Sequence, residues 1–290
     1  MFHRDLTQSE VPVSPEHLKE TPLERLSKDI PEHLSAQELD QPIAFEVGPC
    51  EPLARDMVSP EEFERFKEIY NMLDRMDFST EYKELLAFRF SEMDVELKDM
   101  YNQYADQLVC LDANCKGGTY YSPTAGGFCI DQDADLRSML GPGSQFFHES
   151  GHMIDHLKGK DFGFPTVSAR NDMTTAIHKD YEAALAKIQD EYECDSEKAK
   201  GILSAELLLH PFASACVSDA FGGITENQVC GVCGHSAEYW KNSPRETPGM
   251  EAFASITEII GSQNAKAYEF TKKYLPNTLT EYNAIVGRLN

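Results

Sequence analysis

Two histidines separated by three residues, inside an otherwise apolar segment, constrain the fold of this chain more than any other feature. The run reads His148-Glu149-Ser150-Gly151-His152, with two phenylalanines before it and methionine, isoleucine and leucine within the next five residues. This pattern predicts a buried helix from about Gln145 to Leu157, on which residues four apart project from one face. Two imidazoles so placed can bind one zinc ion, and Glu149 can reach a water at the open coordination position.

The chemistry of such a pair requires a third protein ligand elsewhere in the chain. Zinc lowers the pKa of a bound water to about 7, and a nearby carboxylate can take its proton as it attacks a carbonyl. Glu251 is the expected third ligand because it begins a helix after a Pro-Gly pair, and a second, antiparallel helix can close the site. Glu258, two turns on along the same face, is the alternative. His156 is disfavoured, because three successive turns of one helix seldom converge on one ion.

The net charge of the chain and the absence of long apolar segments restrict the kinds of partner that the sequence predicts. Acidic residues outnumber basic ones by 49 to 26, for a formal net charge of −23. Such a surface repels phosphate, so we expect no nucleic-acid partner, and a peptide substrate should favour basic flanking residues. The sequence has neither a signal peptide nor a run of about 18 apolar residues, which predicts no membrane partner. Eight cysteines without a secretion signal predict reduced thiols and a cytoplasmic location.

The Cys230-Gly231-Val232-Cys233 run leaves three interpretations open. It could be half of a structural zinc site, a redox pair, or two ordinary loop thiols. Cys110 and Cys115 are the only second half that the sequence offers for a zinc site, and their spacing is loose. The Gly-rich surroundings and the missing strand–helix context favour ordinary loop thiols.

The chain divides by composition into three regions. Residues 1–58 are rich in proline and acidic residues and predict an extended acidic arm with a short helix near Ala36–Leu39. Residues 59–115 predict a helical N-terminal region, with helices beginning at serines 59, 79 and 91 and running to about Val109. Residues 116–290 contain His148 and His152 and are predicted to form the catalytic domain.

A short β segment precedes the histidine helix. Residues 117–131 hold two aromatic and β-branched runs around a Thr-Ala-Gly turn, which predicts a hairpin. The order of helices, small sheet and further helices predicts an α+β fold, mostly helical, with the hairpin or sheet next to the metal helix.

The motifs together resemble one known family. The run from His148 to Asp155, followed by Glu251-Ala252-Phe253-Ala254, is similar to the catalytic core of the lethal-factor-like zincins. Residues 218–223 and 234–240 further resemble zincin-like domains associated with phage minor head proteins. The resemblance covers about residues 117–290 and implies a zincin-like metallopeptidase fold. It also implies that His148, His152 and Glu251 bind zinc and that Glu149 is the general base.

Three further side chains are candidates around this core. A tyrosine supports the oxyanion in the lethal-factor enzymes, and Tyr239 could take that role here, with His235 as the alternative donor. Asp219 is our first choice for a carboxylate that holds the outer nitrogen of a ligand histidine, ahead of Asp155.

These expectations lead to three competing functions. The first is a zinc metallopeptidase acting on a peptide or protein substrate. The second is a phage- or toxin-associated interaction module that keeps the fold, and the third is a zinc amidohydrolase acting on a small molecule. The hairpin discriminates between peptide and small molecule. If Phe128–Asp131 is a free edge strand along the cleft, an extended peptide can pair with it, whereas a buried or covered edge favours a small substrate.

Overall fold

The structure, a computed structural model, describes residues 58–287, which fall within one structural unit. They are mostly helical with one three-stranded mixed sheet, which confirms the predicted α+β class. The predicted arm, including its helix near Ala36–Leu39, lies outside the described residues except for Val58. The elements in chain order are α1 (Pro60–Arg65), α2 (Lys67–Arg75), α3 (Thr80–Ser91), α4 (Val95–Tyr104), β1 (Cys110–Asp112), β2 (Tyr120–Ser122), β3 (Gly127–Cys129), α5 (Gln132–Asp135), α6 (Ser144–Asp161), α7 (Val167–Arg170), α8 (Met173–Tyr192), α9 (Ser196–Leu209), α10 (Ala215–Thr225), α11 (Ala237–Asn242), α12 (Thr247–Gly261), α13 (Ala265–Tyr274) and α14 (Pro276–Val286).

Two of the three predicted helix starts are confirmed. The Ser59 hydroxyl accepts a hydrogen bond from the amide of Glu62 at 3.1 Å, and Ser79 caps α3 in the same way. Ser91 was expected to begin a helix, and that expectation is wrong. Its hydroxyl donates to the carbonyl of Phe88 at 2.7 Å within α3, and the next helix begins after Asp94.

The sheet places the hairpin beside a third strand. Its order is β1-β3-β2, with β3 in the centre. Strands β2 and β3 are antiparallel, with Tyr120 opposite Cys129 and Ser122 opposite Gly127, which confirms the predicted hairpin. Strand β1 pairs in parallel with the other edge of β3 and was not predicted. The helices that were expected to run to about Val109 end earlier, at Tyr104.

The expectation that Phe128–Asp131 is a free edge strand is therefore wrong. The amides of Phe128 and Ile130 donate to main-chain carbonyls of Val109 and Asp112 at 3.0 and 2.8 Å, so this segment is covered on that side. On its other side β3 pairs with β2. The outer edge of the hairpin belongs to β2.

The histidine helix α6 is anchored in a core shared with the N-terminal helices. Edge-to-face ring contacts join Phe90 of α3 and Tyr101 of α4 to Phe147 of α6, with centroids 5.4 and 6.0 Å apart. Phe146 contacts Phe90 and Phe128 in the same way. Side chains from both sides of residue 116 thus pack into one core, which holds α6 on its apolar face.

Helices α6 and α12 pack closely along their length and run antiparallel. A Cβ on Gly151 would lie 3.2 Å from the Cβ of Thr257, and a Cβ on Gly261 would lie 2.2 Å from the ring of Phe147. Glycine therefore lets the two backbones approach at both ends of the contact. Glycine inside a helix costs about 1 kcal/mol relative to alanine, so Gly151 in the sequence predicts close packing beside His152, and this packing is confirmed.

Gly261→Ala should lower the free energy of unfolding by about 1–3 kcal/mol, because the buried ring of Phe147 must move to admit a methyl group. Urea unfolding followed by circular dichroism measures the change. Gly201→Ala is the matched control, since a Cβ there meets no atom within 4 Å and the site is an exposed helix interior. That control should gain up to about 1 kcal/mol. Equal shifts in the two variants would contradict the close approach.

Candidate metal centre

A buried carboxylate fixes the start of the histidine helix. Asp135 accepts hydrogen bonds from the amides of Gln145 and Phe146 at 2.9 and 3.1 Å, and one from the hydroxyl of Tyr82. Burial raises the pKa of the Asp135 carboxyl to about 6, although these three hydrogen bonds oppose the rise. The first amides of α6 thereby have partners, and the helix begins at Ser144, one residue before the predicted start.

Three side chains from α6 and α12 bring their ligand atoms together. Oε2 of Glu251 lies 3.1 Å from Nε2 of His152 and 3.5 Å from Nε2 of His148. Nitrogen and oxygen ligands about 2.0–2.1 Å from a tetrahedral zinc lie roughly 3.3 Å from one another. Both distances to Glu251 are therefore close to the spacing of zinc ligands, and all three ligand atoms lie within 4.8 Å of one another.

The electrostatics of the cluster favour an ionised carboxylate against the two imidazoles. Burial alone would raise the pKa of Glu251, but the charge of His152 and hydrogen bonds with both histidines bring it well below its usual value. Burial alone would lower the pKa of His148, but hydrogen bonds with Glu251 and Glu258 raise it well above. The cluster thus attracts positive charge.

Glu149 follows the first histidine on α6 and is 9% exposed. Burial raises the pKa of its carboxyl, while the charges of His148 and His152 act in the opposite direction. A carboxylate with a raised pKa is a better base near neutral pH than an exposed carboxylate with its usual pKa, and Glu149 lies beside the candidate metal ligands.

Glu258 holds the far side of one histidine. Its Oε2 lies 3.0 Å from Nδ1 of His148, opposite the nitrogen that faces Glu251. Glu258 was the alternative third ligand, but this contact makes it the partner that orients His148, a common arrangement around zinc. The sequence proposed Asp219 or Asp155 for that kind of role, and neither contacts a ligand histidine in the described hydrogen bonds. Asp155 instead accepts from the amide and hydroxyl of Ser168 at 2.8 and 2.6 Å.

Both oxyanion candidates lie on the other side of Glu251. The Tyr239 hydroxyl donates to Oε1 of Glu251 at 2.6 Å, and its ring stacks on His235 with centroids 4.0 Å apart. Asp219 holds His235, with both carboxylate oxygens 3.1 Å from Nδ1. Burial and the charge of Glu251 raise the pKa of Tyr239, so its hydroxyl keeps its proton and can donate.

Two features beside the centre escaped the sequence reasoning. The ring of Tyr121 on β2 lies parallel to His152, with centroids 6.4 Å apart and an angle of 13°. A cavity of about 250 Å³ opens beside His148. Its polar end holds Asp219, His235 and Glu258, and the rest of the cavity is mainly apolar, lined by Leu140, Phe212, Ala215, Cys216, Ile259 and Ala267. Tyr121 lies in the hairpin that the sequence predicts, but its contact with His152 was not predicted. No sequence pattern indicates the cavity.

The remaining histidine and cysteine candidates lie apart from the cluster. Nδ1 of His156 lies 3.1 Å from the main-chain oxygen of His152, so this nitrogen faces the helix backbone. Cys230 and Cys233 are free, partly buried thiols, and none of the described cysteines belongs to a group that could hold a metal. The hydroxyl of Ser218 bonds to both Gly231 and Cys233, which fixes their loop through the main chain.

No protein-family profile, curated protein or solved structure matches this chain. Within residues 58–287, none of the helices combines the length and the apolar character needed to cross a membrane.

Glu258→Gln should weaken zinc binding by about 10–100-fold, because a neutral amide holds the Nδ1 proton of His148 less strongly. Competition with a chromophoric chelator measures the dissociation constant. Glu238→Gln removes an exposed carboxylate from α11 and serves as the control for the change in net charge. Equal affinity in the two variants would show that Glu258 does not support the ligand.

Proposed function

We propose that this chain is a zinc-dependent metallopeptidase with a zincin-like catalytic domain. The observation that carries the proposal is that Nε2 of His148 and Nε2 of His152 lie 3.5 and 3.1 Å from one oxygen of Glu251, with Glu149 next to His148 on α6. Two antiparallel helices that supply these groups, and a short strand beside them, agree with the family resemblance of the motifs.

Bound zinc would polarise a carbonyl and make a water more acidic at neutral pH. Glu149 accepts the proton of the attacking water and delivers it to the leaving amine. The Tyr239 hydroxyl donates to Glu251 in this structure, and we expect it to turn from that carboxylate to the substrate oxygen as this oxygen becomes negative. His235, oriented by Asp219, is the second donor. Glu258 keeps His148 in the orientation that binding requires.

The covered position of β3 by itself favours a small substrate, but the outer edge of β2 supports a peptide substrate. The main-chain N–H and C=O groups of alternate residues in β3 point to opposite edges of the strand. Those of Phe128 and Ile130 point to β1, so those of Gly127 and Cys129 point to β2. Their partners are Ser122 and Tyr120, which leaves the main chain of Tyr121 directed outward, while its ring lies beside that of His152. An extended peptide can pair there.

The cavity supports the same conclusion. About 250 Å³ is small for a drug-sized ligand, for which pockets of roughly 300–1,000 Å³ are typical, and suits one large side chain. A peptide lying along β2 would pass the metal cluster and place one side chain in this cavity. A small amide would use the cavity but gain nothing from the strand.

A comparison of substrates tests the proposal. The full chain with one zinc should cleave peptides in a randomised mixture. For the best peptide, kcat/KM should be about tenfold to a hundredfold higher than for a small amide that contains only the cleaved bond and its two neighbouring groups. Two main-chain hydrogen bonds at Tyr121 account for roughly 1–3 kcal/mol of this difference. Equal rates for both substrates would favour the small-molecule amidohydrolase. Zinc bound without cleavage of either would favour the interaction module.

A further inference from the structure

Glu251 belongs to two groups of ligand atoms. In one it meets His148 and His152, and in the other it meets Asp219 and His235, and within each group one ligand atom per residue lies within 4.8 Å of the others. The two carboxylate oxygens have different partners. Oε2 is the atom near His148 and His152, whereas Oε1 accepts from Tyr239. A carboxylate whose two oxygens face different groups of ligand atoms can bridge two cations.

The second group has the burial that a cation site needs. Asp219 and Glu251 are 6% and 5% exposed, which puts two carboxylates in a poorly solvated position, while the side chain of His235 is 35% exposed and leaves a way in. One imidazole with two carboxylate oxygens is a donor set that suits zinc better than magnesium or calcium, which bind oxygen alone.

The charge around the two groups also favours a second divalent ion. Four buried carboxylates lie at or next to these ligand atoms, from Glu149, Asp219, Glu251 and Glu258, and each residue is at most 9% exposed. One zinc ion balances two of these four charges, and a second would balance the rest. Buried carboxylates close together are costly unless cations compensate them.

We propose that a second zinc ion binds at Asp219, His235 and Glu251, with Glu251 bridging it to the first, and that excess zinc thereby inhibits the enzyme. The inhibition rests on the proposed peptidase function, because the second ion occupies His235 and competes with Tyr239 for Oε1 of Glu251. Both oxyanion donors are then lost to the substrate.

The second ion binds more weakly than the first for two reasons. It must displace hydrogen bonds that already exist, between Tyr239 and Glu251 and between His235 and Asp219. It also binds close to another cation, which repels it. The two sites should therefore fill at different free zinc concentrations, so that a titration separates them.

Metal stoichiometry tests the inference without relying on activity. The full chain, stripped with a chelator and dialysed against buffered zinc, should hold one ion at low free zinc and two at high free zinc by mass spectrometry of the metal. His235→Ala should hold one at both concentrations. Asp219→Asn, nearly the same size as the native side chain, should do the same and serves if the alanine variant is unstable. His178→Ala, at an exposed histidine of α8, should hold two.

The outcomes separate the two proposals. No bound zinc at all would overturn both the peptidase and this inference. A single ion at high free zinc would overturn only the second site. Two ions in His235→Ala and Asp219→Asn would show that the second ion binds elsewhere, and its loss in a Cys230→Ser, Cys233→Ser double variant would assign it to the thiols. In the native chain, peptide hydrolysis should fall over the zinc range in which the second ion binds.

Discussion

The Glu149→Gln chain should keep its zinc and hydrolyse peptides about 10²–10⁴-fold more slowly than the native chain, the range expected for loss of a general base. Glutamine has the shape of glutamate but cannot accept the proton of the attacking water. The fold should tolerate the change, because burial already opposes the charge of this carboxyl and raises its pKa. Measurements of kcat/KM and of bound metal on the same preparation test both parts.

The control for this experiment is Glu238→Gln, which removes an exposed carboxylate and should leave kcat/KM near the native value. Unchanged turnover in Glu149→Gln would exclude the proposed base. Loss of zinc from it would instead show that Glu149 is needed for binding, and the loss of activity would then carry no information on proton transfer.

His152→Ala should remove the zinc and with it all measurable hydrolysis. The imidazole supplies one of three converging ligand atoms, and its Nε2 is the nearer of the two to Oε2 of Glu251. Losing a residue that merely orients a ligand costs about 10–100-fold in metal affinity, so losing a ligand should cost more than about 100-fold. Elemental analysis after dialysis against a weak chelator measures the retained metal.

His156→Ala is the matched control, because it removes the next histidine of the same helix. Its Nδ1 contacts a main-chain oxygen, so this variant should retain one zinc per chain. Stoichiometric zinc in His152→Ala would show that the ion binds at other residues, either Asp219, His235 and Glu251 or the cysteines. Loss of zinc from His156→Ala would show that the ligand set has been misassigned.

Local patterns account for what the sequence predicted well. The spacing of His148 and His152 and the apolar residues around them predict a buried helix with both imidazoles on one face, and the serines at 59 and 79 cap helices as expected. Such features depend on residues within one or two turns of one another. Gly151 also belongs here, since glycine in a helix interior is costly unless another backbone approaches.

Pairings between distant segments were harder to predict. The parallel strand β1 joins β3 across an intervening hairpin strand, and three residues give too little pattern to reveal it. This pairing turned the expected edge strand into a central one. Glu258 was noticed as a possible ligand, but its contact with the far nitrogen of His148 depends on the antiparallel alignment of α6 and α12, which no local pattern encodes.

The shortness of β2 has a consequence for cleavage profiles. A three-residue strand directs the main chain of one residue, Tyr121, outward, so a paired peptide gains about two hydrogen bonds however long it is. Most discrimination between substrates must then come from the side chain that enters the cavity beside His148. Aligned cleavage products should show high information content at one position and, apart from the basic preference expected from the net charge, nearly random residues elsewhere.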